Sequence, residues 1–550
     1  MKCALAAKTS TSIQELLNAL KSADNFFDIV AACYFTIMQY QSTNETAFIA
    51  EFDDWSKDTS KCEFQKSLKC FQGLLTELIY RVHPDSDAHL EFDEFLCRMY
   101  DCLENVVDFD EIDDTSYISL LSYIIIDVID LYLQDKDRDD LCLYPDHCPL
   151  NTTVFVDKCS VYYCEKESIL GQAYALDKFR KPLHNYTIGT SFKCILMFEN
   201  TRLNGSVPKI QPVFISNACK QRLKENHFLR IASIPFIGFD TFNVFEQKNN
   251  RLVTSSESPK GQFYIGYREQ DELANIEYVT NLLSLAIQNE ANIVVFPEYI
   301  MSTNMLSAVK EHLAKQTDDK NDSQLILVLA GTNYEYNGKG RGNNILHIYN
   351  SAGYELGCYY KYSPFNTLSN QQVHGASLDN NNSLQNECMS GQRFTSLEIL
   401  SDPGKECTLL DVEGIGRILP AICRDVIDGV YTDNLANLFM PSLVLVSSWS
   451  KSISGFRSRL TNLANTILSS SLLCNCCNAV ESSKQDIGMF IYPHKEGSEM
   501  KAEEVTVKRT EECMNLCRSL CGCIHLVDFN FENGALSVSI KQINSCTTKE

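Results

Sequence analysis

The sequence predicts an α/β fold preceded by an acidic, mainly helical region. Three observations carry that prediction. From about residue 226, short apolar runs alternate with amphipathic ones, the pattern of a layered α/β domain. Residues 11–140 place apolar side chains at three- and four-residue intervals, the helical period. Residues 1–150 hold 29 acidic against 11 basic side chains, a net of −18, which leaves only −5 of the chain's −23 for the rest. A chain of 550 residues exceeds one ordinary core, so two or three domains are expected. The pattern divides it into a helical accessory region over 1–140, a mixed, strand-rich connector over 141–225 and the α/β domain over 226–545.

The elements follow in order. "SIQELLNALKSADNFFDIVAACYFTIM" and "CEFQKSLKCFQGLLTELIYRV" read as helices, the first capped by Ser12 with Glu15 completing a capping box. "YISLLSYIIIDVIDLYL" is a further helix, interrupted by Asp127 and Asp130. In the connector, "TVFVDKCSVYYCEKES" and "TSFKCILMFENTRL" read as strands. Beyond residue 226, "HFLRIASIPF", "ANIVVFPE", "SQLILVLAGTNYEY", "GRILPAICRD" and "PSLVLVSSW" are buried strands. "NNILHIYNSAGYELGCYYK" is strand, turn and strand. Helices are expected over 271–289 and in "FRSRLTNLANTILSSS", and "LLCNCCNAV" and "CIHLVDFNF" complete the strands. The charged stretch "YPHKEGSEMKAEEVTVKRTEEC" reads as an exposed insertion.

Composition excludes several function classes. The acidic balance opposes nucleic-acid binding, which needs a basic footprint. It suits a solvated helical surface or a docking face for a basic protein partner. No uncharged apolar run reaches the roughly 18 residues of a membrane span. The N-terminus reads as the start of an amphipathic helix rather than a secretory signal. Many of the 24 cysteines sit inside apolar runs, where a thiol packs as a small hydrophobe, so a reduced, cytoplasmic setting is expected. Two cysteine clusters have metal-ligating residue types: Cys142, His147, Cys148, Cys159 and Cys164, and Cys513, Cys517, Cys521, Cys523 and His525. The first lacks the tight paired spacing of a zinc site. In the second, Cys513, Cys517 and Cys521 recur every four residues, a spacing compatible with a site or with packing on one helix face. Packing is the expectation for both, and no metal or cofactor is assigned.

Three polar residues, Glu298, Lys361 and Cys423, stand at the ends of three apolar strands. Strand ends of an α/β sheet are where side chains converge on a pocket. Singly, each has an ordinary reading: a surface carboxylate, a snorkelling lysine, a core thiol. Together they supply a base, a cation and a nucleophile, the set a thiol needs to react near neutrality.

In "VVFPEYI", "GCYYKYSPF" and "GRILPAICRDV", with Asp425 two places after the cysteine, the chain resembles the nitrilase superfamily of carbon–nitrogen hydrolases. "VSSWS" and "RSRLTNLANTILSSSLLCNCCNAV" resemble that family's layout in order and spacing. The resemblance covers roughly residues 226–545. It implies a four-layer α-β-β-α sandwich that pairs into a homodimer or larger assembly. It implies Glu298 as general base, Lys361 as electrostatic stabiliser and Cys423 as nucleophile. The activity implied is cleavage of a non-peptide carbon–nitrogen bond through a thioester, with an amide substrate favoured over a nitrile or carbamoyl one. An acyltransferase would use the same thioester. Many members carry a second glutamate shortly after the lysine. No acidic residue follows Lys361 closely here, and Glu387, just before "SGQRF", or His374 would have to substitute. Candidate pocket residues are Tyr299, Tyr334, Tyr360, Arg424, Asp425 and Trp449. The missing glutamate and the acidic extension leave a second class of function open, a catalytically silent module that senses a ligand or assembles with a protein partner.

Overall fold

The structure is a computed structural model. Apart from short gaps inside these ranges, it describes residues 16–41, 63–82, 90–106, 115–134, 159–163, 195–199, 208–235, 242–247, 261–368, 395–480, 486–508, 523–532 and 535–544. It is a mixed α/β molecule with two seven-stranded sheets. The chain divides into two compact units, one built largely from residues 1–210 and the other largely from residues 211–550.

Among the described residues, the first unit holds four long helices: α1 Phe26–Gln41, α2 Glu63–Tyr80, α3 Phe92–Val106 and α4 Thr115–Gln134. Their apolar stripes meet in one core that includes Ile29, Ile37, Phe71, Phe95, Ile125 and Ile129. Strands β1 Cys159–Tyr163 and β2 Ile195–Glu199 pair antiparallel. Asp130, one of the two residues that interrupt the apolar run of α4, is buried and accepts the Ile195 N–H at 2.9 Å. A polar residue on that helix therefore anchors β2 through one backbone amide. The Ser12 cap lies outside the described residues.

In the second unit, the first sheet contains β4 Phe228–Ser233, β7 Ile293–Val295, β8 Leu327–Tyr336, β9 Gly342–Asn350, β10 Glu355–Tyr360, β19 Cys523–Glu532 and β20 Ala535–Asn544. Its order is β10-β9-β8-β7-β4-β19-β20. Helices α5 Glu272–Gln288 and α6 Thr303–Asp319 share a core with it through Val279, Leu283, Val309 and Val294.

The second sheet is ordered β18-β17-β16-β15-β14-β13-β3. Its strands are β3 Lys209–Val213, β13 Thr408–Val412, β14 Gly416–Ile422, β15 Leu443–Ser448, β16 Ser470–Asn475, β17 Asp486–Glu496 and β18 Glu499–Lys508. The centre, β14-β15-β16, is parallel and buried along its length, which is why those segments read as unbroken apolar runs. Helix α8, Ser454–Thr466, turns Leu460, Leu463 and Ala464 inward, as its periodicity predicts. The charged stretch after Tyr492 is largely strand rather than loop, because β17 and β18 pair as an antiparallel ladder. A smaller sheet is ordered β11-β12-β6-β5, from Asn366–Leu368, Thr395–Glu398, Gly261–Tyr267 and Phe242–Gln247.

The two large sheets touch through buried contacts. Ser447 Oγ donates to the Phe296 carbonyl at 2.7 Å, and the Phe490 and Phe529 rings meet edge to face at 4.7 Å. Among the described residues no helix is long and apolar enough to cross a membrane, and no group of three or more His, Cys, Asp and Glu side chains could hold a metal. Cys142, His147, Cys148, Cys164, Cys513, Cys517 and Cys521 lie outside the described residues, and Cys159, Cys523 and His525 lie within them.

Candidate active site

The geometry starts at a bulge. β8 shifts register between Leu329 and Thr332, where Gly331 takes φ +76°. A Cβ at Gly331 would meet the Pro297 carbonyl oxygen at 2.5 Å, so only glycine lets the backbone pass this close. Thr332 then holds the 297–301 turn. Its N–H donates to the Pro297 carbonyl at 3.3 Å, its hydroxyl accepts the Tyr299 N–H at 2.8 Å, and its carbonyl accepts the Met301 N–H at 3.3 Å. Tyr299 takes φ +63°, a costly conformation for a bulky residue. The turn carries Glu298 into the interior.

Lys361 follows directly on β10, with its N–H bonded to the Asn344 carbonyl at 2.9 Å. Its ammonium is buried between two carboxylates, 2.7 Å from Glu298 Oε1 and 2.6 Å from Glu398 Oε2. Tyr299 Oη accepts a third, longer contact from Nζ at 3.3 Å, and its ring lies 5.4 Å below the cation. Glu398, the last residue of β12, also accepts the Tyr299 hydroxyl at 2.5 Å and the Phe365 N–H at 2.9 Å. Asn344 Nδ2 donates to Glu298 at 2.9 Å and to Glu398 at 3.0 Å. Tyr334 donates its hydroxyl to the Ile399 carbonyl at 2.6 Å, steadying the residue next to Glu398.

Cys423 sits where β14 breaks into the short helix α7, Arg424–Asp428, at φ +36° and ψ −99°. That strained corner turns the thiol out of the strand pattern and into the electrostatic reach of Glu298 and Lys361. Its N–H is fixed on the Ser447 carbonyl at 2.9 Å, and Ser448 Oγ donates to Sγ at 3.4 Å. The Trp449 N–H donates to Glu298 Oε2 at 3.1 Å. Asp425 reaches back to the lysine loop and accepts the N–H groups of Tyr362 at 3.1 Å and Ser363 at 2.5 Å.

Electrostatics follow from burial. Glu298, Lys361 and Cys423 are each no more than 2% exposed. Desolvation raises the Glu298 carboxyl, and Lys361 only partly offsets it because Glu398 pushes the same way. Burial pulls the Lys361 ammonium down, but Glu298 and Glu398 outweigh it and hold that group well above the ordinary lysine range. One cation between two anions leaves the cluster short of a positive charge, the setting in which a carboxylate accepts a proton. Burial, reinforced by the Glu298 charge, pushes the Cys423 thiol up, so the resting sulfur is protonated. Burial pushes Asp425 up to about 7, against the pull of its N–H donors.

The structure thus brings together Glu298, Lys361, Cys423, Tyr299, Asp425 and the Trp449 backbone. Tyr334 stands one contact further out. Tyr360 lies under Lys405, whose Nζ is 5.6 Å from its ring, and Arg424 pairs with Asp428 at 2.7 Å. Glu387 and His374 lie outside the described residues. Sequence reasoning missed Glu398 and Asn344. The available signal for Glu398 was weaker than for the other three: a lone carboxylate ending the short, largely polar strand "TSLE".

No family model and no curated protein matches the sequence. Among solved structures, the chain is similar to Nit3 of Saccharomyces cerevisiae at 13% identity and a TM-score of 0.30, covering 53% of this chain and 93% of that one. It is similar to an amidase from Nesterenkonia sp. AN1 at 12% identity and a TM-score of 0.30, covering 51% and 91%. Both of these neighbours are nitrilase-superfamily members. A glutamine-dependent NAD+ synthetase from Acinetobacter baumannii matches at 14% identity and a TM-score of 0.32, over 57% of this chain and 47% of that one. Likeness at this level carries no weight for the chemistry, which rests on the residues above.

Proposed function

We propose that the chain is a nitrilase-like thiol amidohydrolase that cleaves a non-peptide carbon–nitrogen bond, with its second unit as the four-layer α-β-β-α sandwich. The observation that carries this reading is the buried Lys361 ammonium between Glu298 and Glu398, beside a thiol on a strained strand end. A cluster this costly to desolvate suits a site that does chemistry.

In the reaction, Glu298 takes the thiol proton as Cys423 Sγ attacks the amide carbon. Negative charge develops on the carbonyl oxygen. Lys361 and a backbone N–H near Arg424 stabilise it. Of the three Nζ contacts, the 3.3 Å one to Tyr299 is the weakest, so it is the one a substrate oxygen replaces. Glu298 returns its proton to the leaving nitrogen, ammonia or an amine departs, and a thioester remains. Glu298 then takes a proton from water, hydroxide adds to the thioester, and the thiolate leaves and is reprotonated with release of the acid. Glu398, Asn344 and Asp425 hold Lys361 and Glu298 in place throughout. An acyl acceptor other than water would make the same site a transferase.

The test is ammonia release from a panel of small primary amides by the full chain and by Cys423→Ala. Release by the native protein and loss in the variant support the reading; no release from any amide, with no acylated Cys423 by mass spectrometry, contradicts it. The near-complete burial of Cys423 favours one second reading, a silent module that binds a ligand without turnover. Under that reading an amide binds and never acylates the thiol. The proposal extends to a cytoplasmic homodimer or larger assembly, with the acidic N-terminal unit available to a basic protein partner.

A further inference from the structure

One tripeptide at the end of β15 touches both reacting groups. The Ser447 carbonyl accepts the Cys423 N–H at 2.9 Å, the Ser448 carbonyl accepts the Glu298 N–H at 3.3 Å, and the Trp449 N–H donates to Glu298 Oε2 at 3.1 Å. These are backbone contacts that most residues at 447–449 would supply. The Ser448 hydroxyl is different. It is fully buried and donates to Cys423 Sγ at 3.4 Å.

We propose that Ser448 is a positioning residue for the nucleophile, its hydroxyl holding the Cys423 sulfur as thiolate once Glu298 has taken the proton. This rests on the reading of Cys423 as nucleophile and adds to it a residue with a defined task. A thiol sulfur is a weak acceptor and a thiolate a strong one, so the O–H···S bond strengthens when the proton leaves. The bond therefore favours the charged state selectively, where burial and the Glu298 charge oppose it. The hydroxyl approaches from β15 and the Glu298 carboxylate acts on the same thiol, so the donor that would hold the thiolate and the base that would form it meet at one sulfur. No bond is made or broken by Ser448 itself.

The experiment is the pH dependence of Cys423 alkylation by iodoacetamide, with the modified peptide quantified by mass spectrometry. It compares the native full-length protein, Ser448→Ala and Ser448→Thr under reducing conditions with excess reagent. The midpoint is expected to rise by about one pH unit in Ser448→Ala, the size of one charge-assisted hydrogen bond. Ser448→Thr, which keeps a hydroxyl, is expected to return most of the shift. A midpoint in Ser448→Ala equal to or below the native one overturns the proposal. Should the alanine variant fail to fold, Ser448→Cys carries the test, with a smaller upward shift expected from its weaker donor and no shift overturning it. A native Cys423 that reacts no faster than the other thiols overturns this proposal and the amidohydrolase reading together. A fast native Cys423 with an unshifted profile overturns this proposal alone.

Discussion

Cys423 and Cys474 are both buried thiols of the same parallel sheet, one just beyond β14 and one inside β16, with β15 between them. Cys474 lies within regular strand and hydrogen-bonds the carbonyls of Ile234 at 3.5 Å and Val295 at 3.3 Å. Burial pushes it up to about 12, against the pull of the Ser233 hydroxyl. Cys423 leaves its strand at φ +36°, and Glu298, Lys361 and Ser448 surround it. Equal burial and equal residue type thus give an inert packing group in one place and a poised reagent in the other. The backbone corner and the neighbouring strands make the difference.

The largest expected effect separates these two thiols. Cys423→Ala should lower turnover by on the order of 10⁴-fold or more, as loss of a nucleophile does. Cys474→Ala should leave turnover within a few-fold and cost about 1 kcal/mol of stability, measured by denaturant unfolding. Comparable losses from both would erase the contrast.

Next in size is the cation. Lys361→Ala leaves Glu298 and Glu398 facing each other in the interior, a change expected to cost about 3–5 kcal/mol. The pH sign follows from the raised Glu298 carboxyl. The folded state then binds a proton that the unfolded chain has released, so stability falls as pH rises from the ordinary carboxylate range toward the raised folded value. Melting of Lys361→Ala at pH 5 and pH 8 should therefore show the larger deficit at pH 8. An equal deficit would mean that the two carboxylates carry no excess charge.

Glu398→Gln keeps the shape and removes one partner of the ammonium. A loss of about 10- to 100-fold in kcat is expected, from mispositioned Lys361. Tyr299→Phe removes the 2.5 Å hydroxyl contact to Glu398 and should cost about 1 kcal/mol of stability, with turnover changed less than tenfold. Smallest of all, Arg457→Ala breaks an exposed pair with Glu504 and should shift stability by less than about 1 kcal/mol.

Much of the fold was legible because the parallel strands are buried on both faces and the helices carry one apolar stripe, so both periods stand out. Glu298, Lys361 and Cys423 were legible because each interrupts an apolar run at a strand end. Glu398 also stands at a strand end, but its strand is only "TSLE", with no apolar run to interrupt, 37 positions after Lys361 and beyond an Asn-rich stretch that offers no period. Asn344 hides among polar neighbours in "GRGNN" at the start of β9. Its role arises from register, which places it between two carboxylates from other strands. Ser448 was unreadable for the same reason, since its partner is 25 residues away in sequence. The charge of β18 disguised a strand whose pairing comes from β17.

The most direct measurement of the central claim is competitive labelling. Native protein is treated with sub-stoichiometric iodoacetamide and the modified cysteine is mapped by mass spectrometry, alongside Glu298→Gln and Lys361→Ala. Cys423 should be modified first among the 24 cysteines, and both variants should slow it. A Cys423 no faster than Cys474, or one indifferent to both substitutions, would contradict it.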